Sequence, residues 1–156
     1  MNNGKKFINL AEDIQAKLRP FCSKIKIAGS IRRHVENPGD IDIVLIPKDR
    51  IKLEEFIKKG IGGEFLQGGE HESTWNVHGV NVELYYTDDE EWGAELLAYS
   101  GRKGSNIGLR LVAKRNGFKL TQHGLFDSKT GKKIAGKTEE EIYHALGRNY
   151  KKPENR

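Results

Sequence analysis

The chain has 156 residues, enough for one ordinary domain or two small lobes; 36% are hydrophobic, 31% charged, and the net charge is +5. No apolar run approaches a membrane span, the N-terminal stretch has no apolar signal core, and a single cysteine, Cys22, excludes an internal disulfide and a cysteine zinc cluster. The first 88 residues carry thirteen basic and thirteen acidic side chains, whereas residues 89–156 carry fourteen and nine, so the whole excess lies in the second part.

Taken in chain order, Phe7, Leu10, Ala11, Ile14 and Leu18 have helical spacing, and Pro20 ends the helix. Cys22 reads as a buried thiol before a short strand at Ile25–Ala28. Gly29-Ser30 breaks that strand, and Ile31 to His34 can start a short helix. A strand from Asp40 to Ile46 follows, apolar on both faces after its two acids and therefore central in its sheet. Ile51–Lys59 reads as a helix closed by glycines, and Glu64–Gln67 as a strand. Ser73–Thr87 is a hairpin turning at His78-Gly79. Thr87 with Glu90 fits a capping box opening a helix to Ser100, with Trp92, Leu96 and Leu97 inward. Ser105 or Asn106 can cap a further helix that Gly117 terminates. A strand at FKLTQ, a hairpin turning at Thr130-Gly131 and a helix capped by Thr138 close the chain. This is an α+β pattern, divided at Thr87–Glu91 into residues 1–88 and 89–156.

The chemistry concentrates between Gly29 and Ile46. Asp40 and Asp42, two residues apart on a strand, share one face at roughly 7 Å. A solvated strand end is the plain reading of such a pair. At the mouth of a buried strand, a divalent cation is the better one, because carboxylates with retained waters suit magnesium. Gly29 and Ser30 expose backbone N–H groups to a phosphate, with Arg32 and Arg33 supplying charge. On the later hairpin Glu83 lies opposite the apolar face of Val80, Val82 and Leu84, either as an exposed strand residue or as a third acid. Asn106, Arg110 and Lys114 recur at helical spacing on a polar face. From Arg102 to Lys137 there are ten basic residues and one acid, which favours a nucleic-acid backbone as partner.

Gly29-Ser30, nine residues, then Asp40-Ile41-Asp42 resembles the signature of the polymerase-beta-like nucleotidyltransferases; AGSIRR with GDIDIVL resembles more narrowly the family X DNA polymerases. The resemblance runs from about residue 7 to the C-terminus. It implies a nucleotidyltransferase palm, with a mixed β-sheet and flanking helices, followed by a small α+β thumb. It implies Asp40, Asp42 and Glu83 as metal ligands and catalytic carboxylates, with Mg2+ as cofactor and Mn2+ able to substitute. Gly29, Ser30, Arg33 and Gly39 would hold the triphosphate; Tyr99, Gly101 and Asn106 match the thumb pattern that faces the nucleotide. Arg102, Lys103, Arg110, Lys114 and Arg115 would bind DNA. The sequence departs from the family pattern at Glu83, where aspartate is usual, at Ala98 in place of an aromatic and at Arg102 in place of serine. The implied activity is addition of deoxynucleotides to a primer 3′-hydroxyl, as in short-gap repair, by a monomer in the cytoplasm or wherever the DNA is, with no membrane partner. A template-independent transferase and a non-catalytic DNA-binding relative remain as alternatives.

Overall fold

The structure, a computed structural model, describes residues 3–156. It divides into two compact units, the first ending at Thr87 and the second spanning Asp88–Arg156. Among the described residues no helix is long and apolar enough to cross a membrane.

The first unit is a five-stranded mixed sheet in the order β1-β2-β5-β4-β3. Helix α1 (Asn3–Leu18) buries Ala11, Ile14 and Leu18, the stripe its spacing predicts, and begins one turn earlier than Phe7. β1 (Cys22–Ile27) runs antiparallel to β2 (Ile41–Pro47), and the buried Cys22 belongs to the core. Between them lies a single helical turn, α2 (Gly29–Arg32). β2 therefore begins one residue later than the sequence suggests, which leaves Asp40 outside the ladder and exposed. α3 (Arg50–Phe56) is capped by the Asp49 side chain, which accepts from Lys52 N at 3.1 Å. The expected continuation to Lys59 instead widens into a π-turn over Ile57–Ile61, and Gly62 ends it at φ +81°.

β3 (Glu64–Gly68), β4 (Glu72–Val77) and β5 (Val80–Tyr86) are antiparallel neighbours. His78 and Gly79 both take positive φ, 52° and 84°, as a tight two-residue hairpin requires. β5 then pairs in parallel with β2. Ile41, Ile43 and Leu45 of β2 and Val82 and Leu84 of β5 pack with α1, Leu53 and Trp75 in one core. Strand alternation turns Asp42, Val44, Glu83 and Tyr85 to the other face, where Val44 and Tyr85 are also buried.

In the second unit α4 (Trp92–Ser100), α5 (Lys103–Arg115) and α6 (Glu139–Ala145) accompany an antiparallel sheet of β6 (Phe118–Thr121), β7 (Gly124–Asp127) and β8 (Lys133–Ala135). Ala94, Leu97, Leu109, Ala113, Leu125 and Ile142 form its core. Gly93 is required at the start of α4: a Cβ there would lie 2.2 Å from the backbone of Thr138.

Two expected caps are absent. Thr87 does not cap α4, because its N–H is still donated to Leu45 O at 3.0 Å as the sheet ends; Asp88 accepts from Glu91 N instead, and α4 starts at Trp92. Ser105 and Asn106 do not cap α5, which already begins at Lys103. The Thr138 cap is present, its hydroxyl accepting from Glu141 N at 3.1 Å. Trp92, expected in the core of α4, is only half-buried.

Candidate active site

Parallel pairing of β2 with β5 sets Asp42 directly beside Glu83 in register. Neighbouring strands lie about 4.8 Å apart, so two carboxylates at matched positions crowd each other. Tyr85, two residues beyond Glu83 and on the same face, shares its hydroxyl between them, donating to Glu83 Oε2 and lying 3.4 Å from Asp42 Oδ1. Tyr85 is 8% exposed, whereas Asp42 and Glu83 are half-buried.

Burial raises the Asp42 carboxyl from an ordinary 3.8 to about 7. The Glu83 charge and its hydrogen bond add to the rise, and Asp40 contributes further; the Tyr85 bond opposes it. At neutral pH Asp42 sits near the balance between holding and losing a proton.

Gly29 abuts this pair. Its φ of +59° is one that few side chains tolerate, and a Cβ there would lie 2.1 Å from Asp42 Oδ2. The Ala28 N–H donates to Asp42 O at 2.7 Å, which ties the start of the Gly29-Ser30 turn to the carboxylate strand. Arg32 N and Arg33 N close the turn onto Ala28 O and Gly29 O. The N–H groups of the first residues of such a turn have no acceptor within it. Ser30 and Arg33 are half-buried on this turn, and Gly39 is exposed with open space around its α-carbon.

The structure thus brings Gly29, Asp42 and Glu83 together. Asp40 stands at the entrance of β2, close enough for its charge to act on Asp42. Among the described residues, no three His, Cys, Asp or Glu side chains form a ready-made metal cage. The donor set nevertheless suits a hard cation: all its atoms are carboxylate or hydroxyl oxygens, and the forced closeness of two acids is what a divalent charge would relieve.

In the second unit Asn106 reaches back from the first turn of α5, donating to Ala98 O at 3.0 Å and Gly101 O at 3.5 Å. A Cβ on Gly101 would lie 2.4 Å from Asn106 Oδ1, so a side chain there would push the Asn106 amide aside. The Tyr99 hydroxyl donates to Gln122 Oε1 at 3.3 Å. Arg102, Lys103, Arg110, Lys114 and Arg115 are all exposed. Arg110 and Lys114 share one wall of a groove of about 570 Å³ floored by Phe118 and Leu120, and Arg115 is not part of that wall.

Two residues escaped the sequence reading. Tyr85 carries a signal, its i, i+2 spacing from Glu83, but its role depends on the β2–β5 pairing. Glu95 carries none: it lies on α4 among apolar neighbours, is 3% exposed, and its Oε1 has no hydrogen-bond partner among the described residues.

Residues 95–156 match the family model described as DNA polymerase beta thumb. The chain is similar to Repair DNA polymerase X of African swine fever virus. It is 26% identical to that of isolate Pig/Kenya/KEN-50/1950 over an alignment of 170 positions, covering 100% of this chain and 98% of that protein. It is 29% identical to that of isolate Tick/South Africa/Pretoriuskop Pr4/1996 over 174, covering 98% and 96%. It is also 25% identical over 146 residues to DNA polymerase/3'-5' exonuclease PolX of Bacillus subtilis, covering 90% of this chain and 26% of that one. With the carboxylate strands and glycine turn in the first unit and the thumb match in the second, the full-length similarity supports a family X DNA polymerase.

Proposed function

We propose that this DNA-directed DNA polymerase fills short gaps during repair, joining a deoxynucleotide to a primer 3′-hydroxyl in a reaction that depends on a divalent cation. The observation that carries the reading is the register match of Asp42 with Glu83 beside Gly29. In the reaction the primer oxygen bonds to the α-phosphorus, the bond to the bridging oxygen breaks, and pyrophosphate leaves.

Asp40, Asp42 and Glu83 would hold Mg2+ or Mn2+. The bound cation would lower the pKa of the attacking hydroxyl and neutralise charge on the phosphates. The Gly29-Ser30 turn offers backbone donors to the β- and γ-phosphates, and Arg33 adds a guanidinium within the same turn. Glu83 accepts the proton that leaves the primer hydroxyl, and Tyr85 keeps Glu83 Oε2 turned toward Asp42 before substrate arrives. The Glu83 carboxylate stands on a stem one methylene longer than aspartate, and the hydroxyl bond removes the freedom that this length adds. Tyr99, Gly101 and Asn106 are assigned to the incoming nucleotide; Arg102, Lys103, Arg110, Lys114 and Arg115 are assigned to phosphates of the DNA.

Single-nucleotide incorporation on gapped DNA tests this reading. Activity should require Mg2+ or Mn2+, vanish in chelator, and fall to background in Glu83→Gln. Incorporation by Glu83→Gln at the wild-type rate would remove Glu83 from the chemistry.

A further inference from the structure

Helix α5 carries polar chemistry on two sides. Asn106, Arg110 and Lys114 face one way. Ser105, Gly108 and Val112 lie about 150° around the helix from them. This second side forms a wall of a groove of about 620 Å³, completed by Tyr143 of α6 and the Gly147–Lys151 segment that follows it.

The lining has a definite chemistry. Leu109 and Val112 supply an apolar floor. The exposed Tyr150 ring stands edge-on to Tyr143, with centroids 5.6 Å apart and planes at 80°. Arg148 and Lys151 supply two cations, and the lining contains no carboxylate. Their side chains, with those of Ser105 and Asn149, form no hydrogen bond or ion pair with any described residue. Arg156, which lies over both tyrosine rings, is by contrast neutralised by Glu139 at 2.7 Å. The Tyr143 hydroxyl is buried, with the Arg156 guanidinium as the charged group beside it.

We propose that this groove is a second DNA site, taking one unpaired nucleotide of a strand that continues past the duplex. Its phosphate lies between Arg148 and Lys151, and its base stacks on Tyr150 over the apolar floor. An aromatic ring beside paired cations is the usual chemistry of single-strand recognition, and the volume is in the range of small-ligand sites. The site lies on the far side of α5 from Arg110 and Lys114. This assignment rests on the polymerase reading, since that reading supplies the DNA.

Anisotropy binding at fixed salt tests it, using gapped DNA whose template strand either ends flush or continues as a short unpaired extension at one end or the other. For the wild type one of the two extensions should tighten binding about tenfold, the worth of one base stacked on an aromatic ring. The double variant Arg148→Ala/Lys151→Ala and, separately, Tyr150→Leu should lose that gain while binding flush DNA like the wild type. An abasic extension should recover only part of it. No gain from either extension, or equal loss on flush and extended DNA, would overturn the proposal. An abasic extension binding as well as a normal one would overturn the stacked base and leave a phosphate contact alone. Incorporation on flush gapped DNA is measured in parallel: its absence in the wild type would count against the polymerase reading, not against the groove.

Discussion

Gly29 and Asp42 are in such close contact that the α-carbon of one leaves no room for a side chain beside the carboxylate of the other: a Cβ on Gly29 would fall 2.1 Å from Asp42 Oδ2. Gly29→Ala has to displace the acid or reshape the turn, and the φ of +59° adds strain. A displacement of about 1 Å costs roughly a hundredfold in rate. Incorporation should fall by at least that factor, while urea denaturation shows a loss of only about 1–2 kcal/mol.

Tyr85→Phe keeps the ring in place and removes the proton shared by Asp42 and Glu83. A hydrogen bond to a charged group contributes about 1.5–3 kcal/mol, so incorporation should drop roughly tenfold or more. A pH titration of stability in chelator gives a second readout. The folded Asp42 carboxyl is raised to about 7, so its contribution is complete below 3.8 and is lost as pH rises through 7. Because the Tyr85 bond lowers that value, the variant should extend the loss to higher pH.

Glu95 is buried on α4, and burial, with Glu91 and Asp88 adding to it, lifts its carboxyl from 4.5 to about 8. Below 4.5 folded and unfolded chains both hold this proton. As pH rises from there the unfolded chain releases it first, so stability falls by about 1.4 kcal/mol per pH unit at most until the folded group ionises near 8. Glu95→Gln abolishes the titration. Thermal melts should show the variant matching wild type near pH 4 and melting higher at pH 8; equal melting temperatures at pH 8 would show that the carboxyl is solvated in the folded chain.

Lys114 is exposed on the Asn106–Arg110 face of α5 and is assigned to a DNA phosphate. Lys114→Ala should weaken gapped-DNA binding evenly across sequences, and the slope of log affinity against log salt should decrease by about 1. An unchanged slope would place Lys114 outside the DNA footprint.

Local patterning made much of the first unit legible. The α1 stripe, the hairpin at His78-Gly79 and the outward face of Glu83 all follow from residue spacing. What spacing could not give was the neighbour across the sheet. The Tyr85 bond to Asp42 spans 43 residues and exists only because β5 lies parallel to β2. Thr87 was misread as a cap for a related reason: its N–H was already engaged by Leu45, a residue distant in sequence. Asp40 falls outside the strand although its residue pattern joins it. Glu95 was invisible because a glutamate on a helix is ordinarily solvated, and only packing reveals otherwise.

The β2–β5 pairing also sets when in folding the site can exist. The two strands are parallel neighbours with a helix and two strands between them in sequence, so no local turn can bring them together. Hairpin β4–β5 closes over a two-residue turn and the β1–β2 pair over residues 28–40, whereas Asp42 meets Glu83 only when a longer loop closes, a slow step in topologies rich in distant contacts. Recovery of activity after dilution from denaturant should therefore lag behind the recovery of helical signal from α1, making catalysis a clock for the last long-range closure of the first unit.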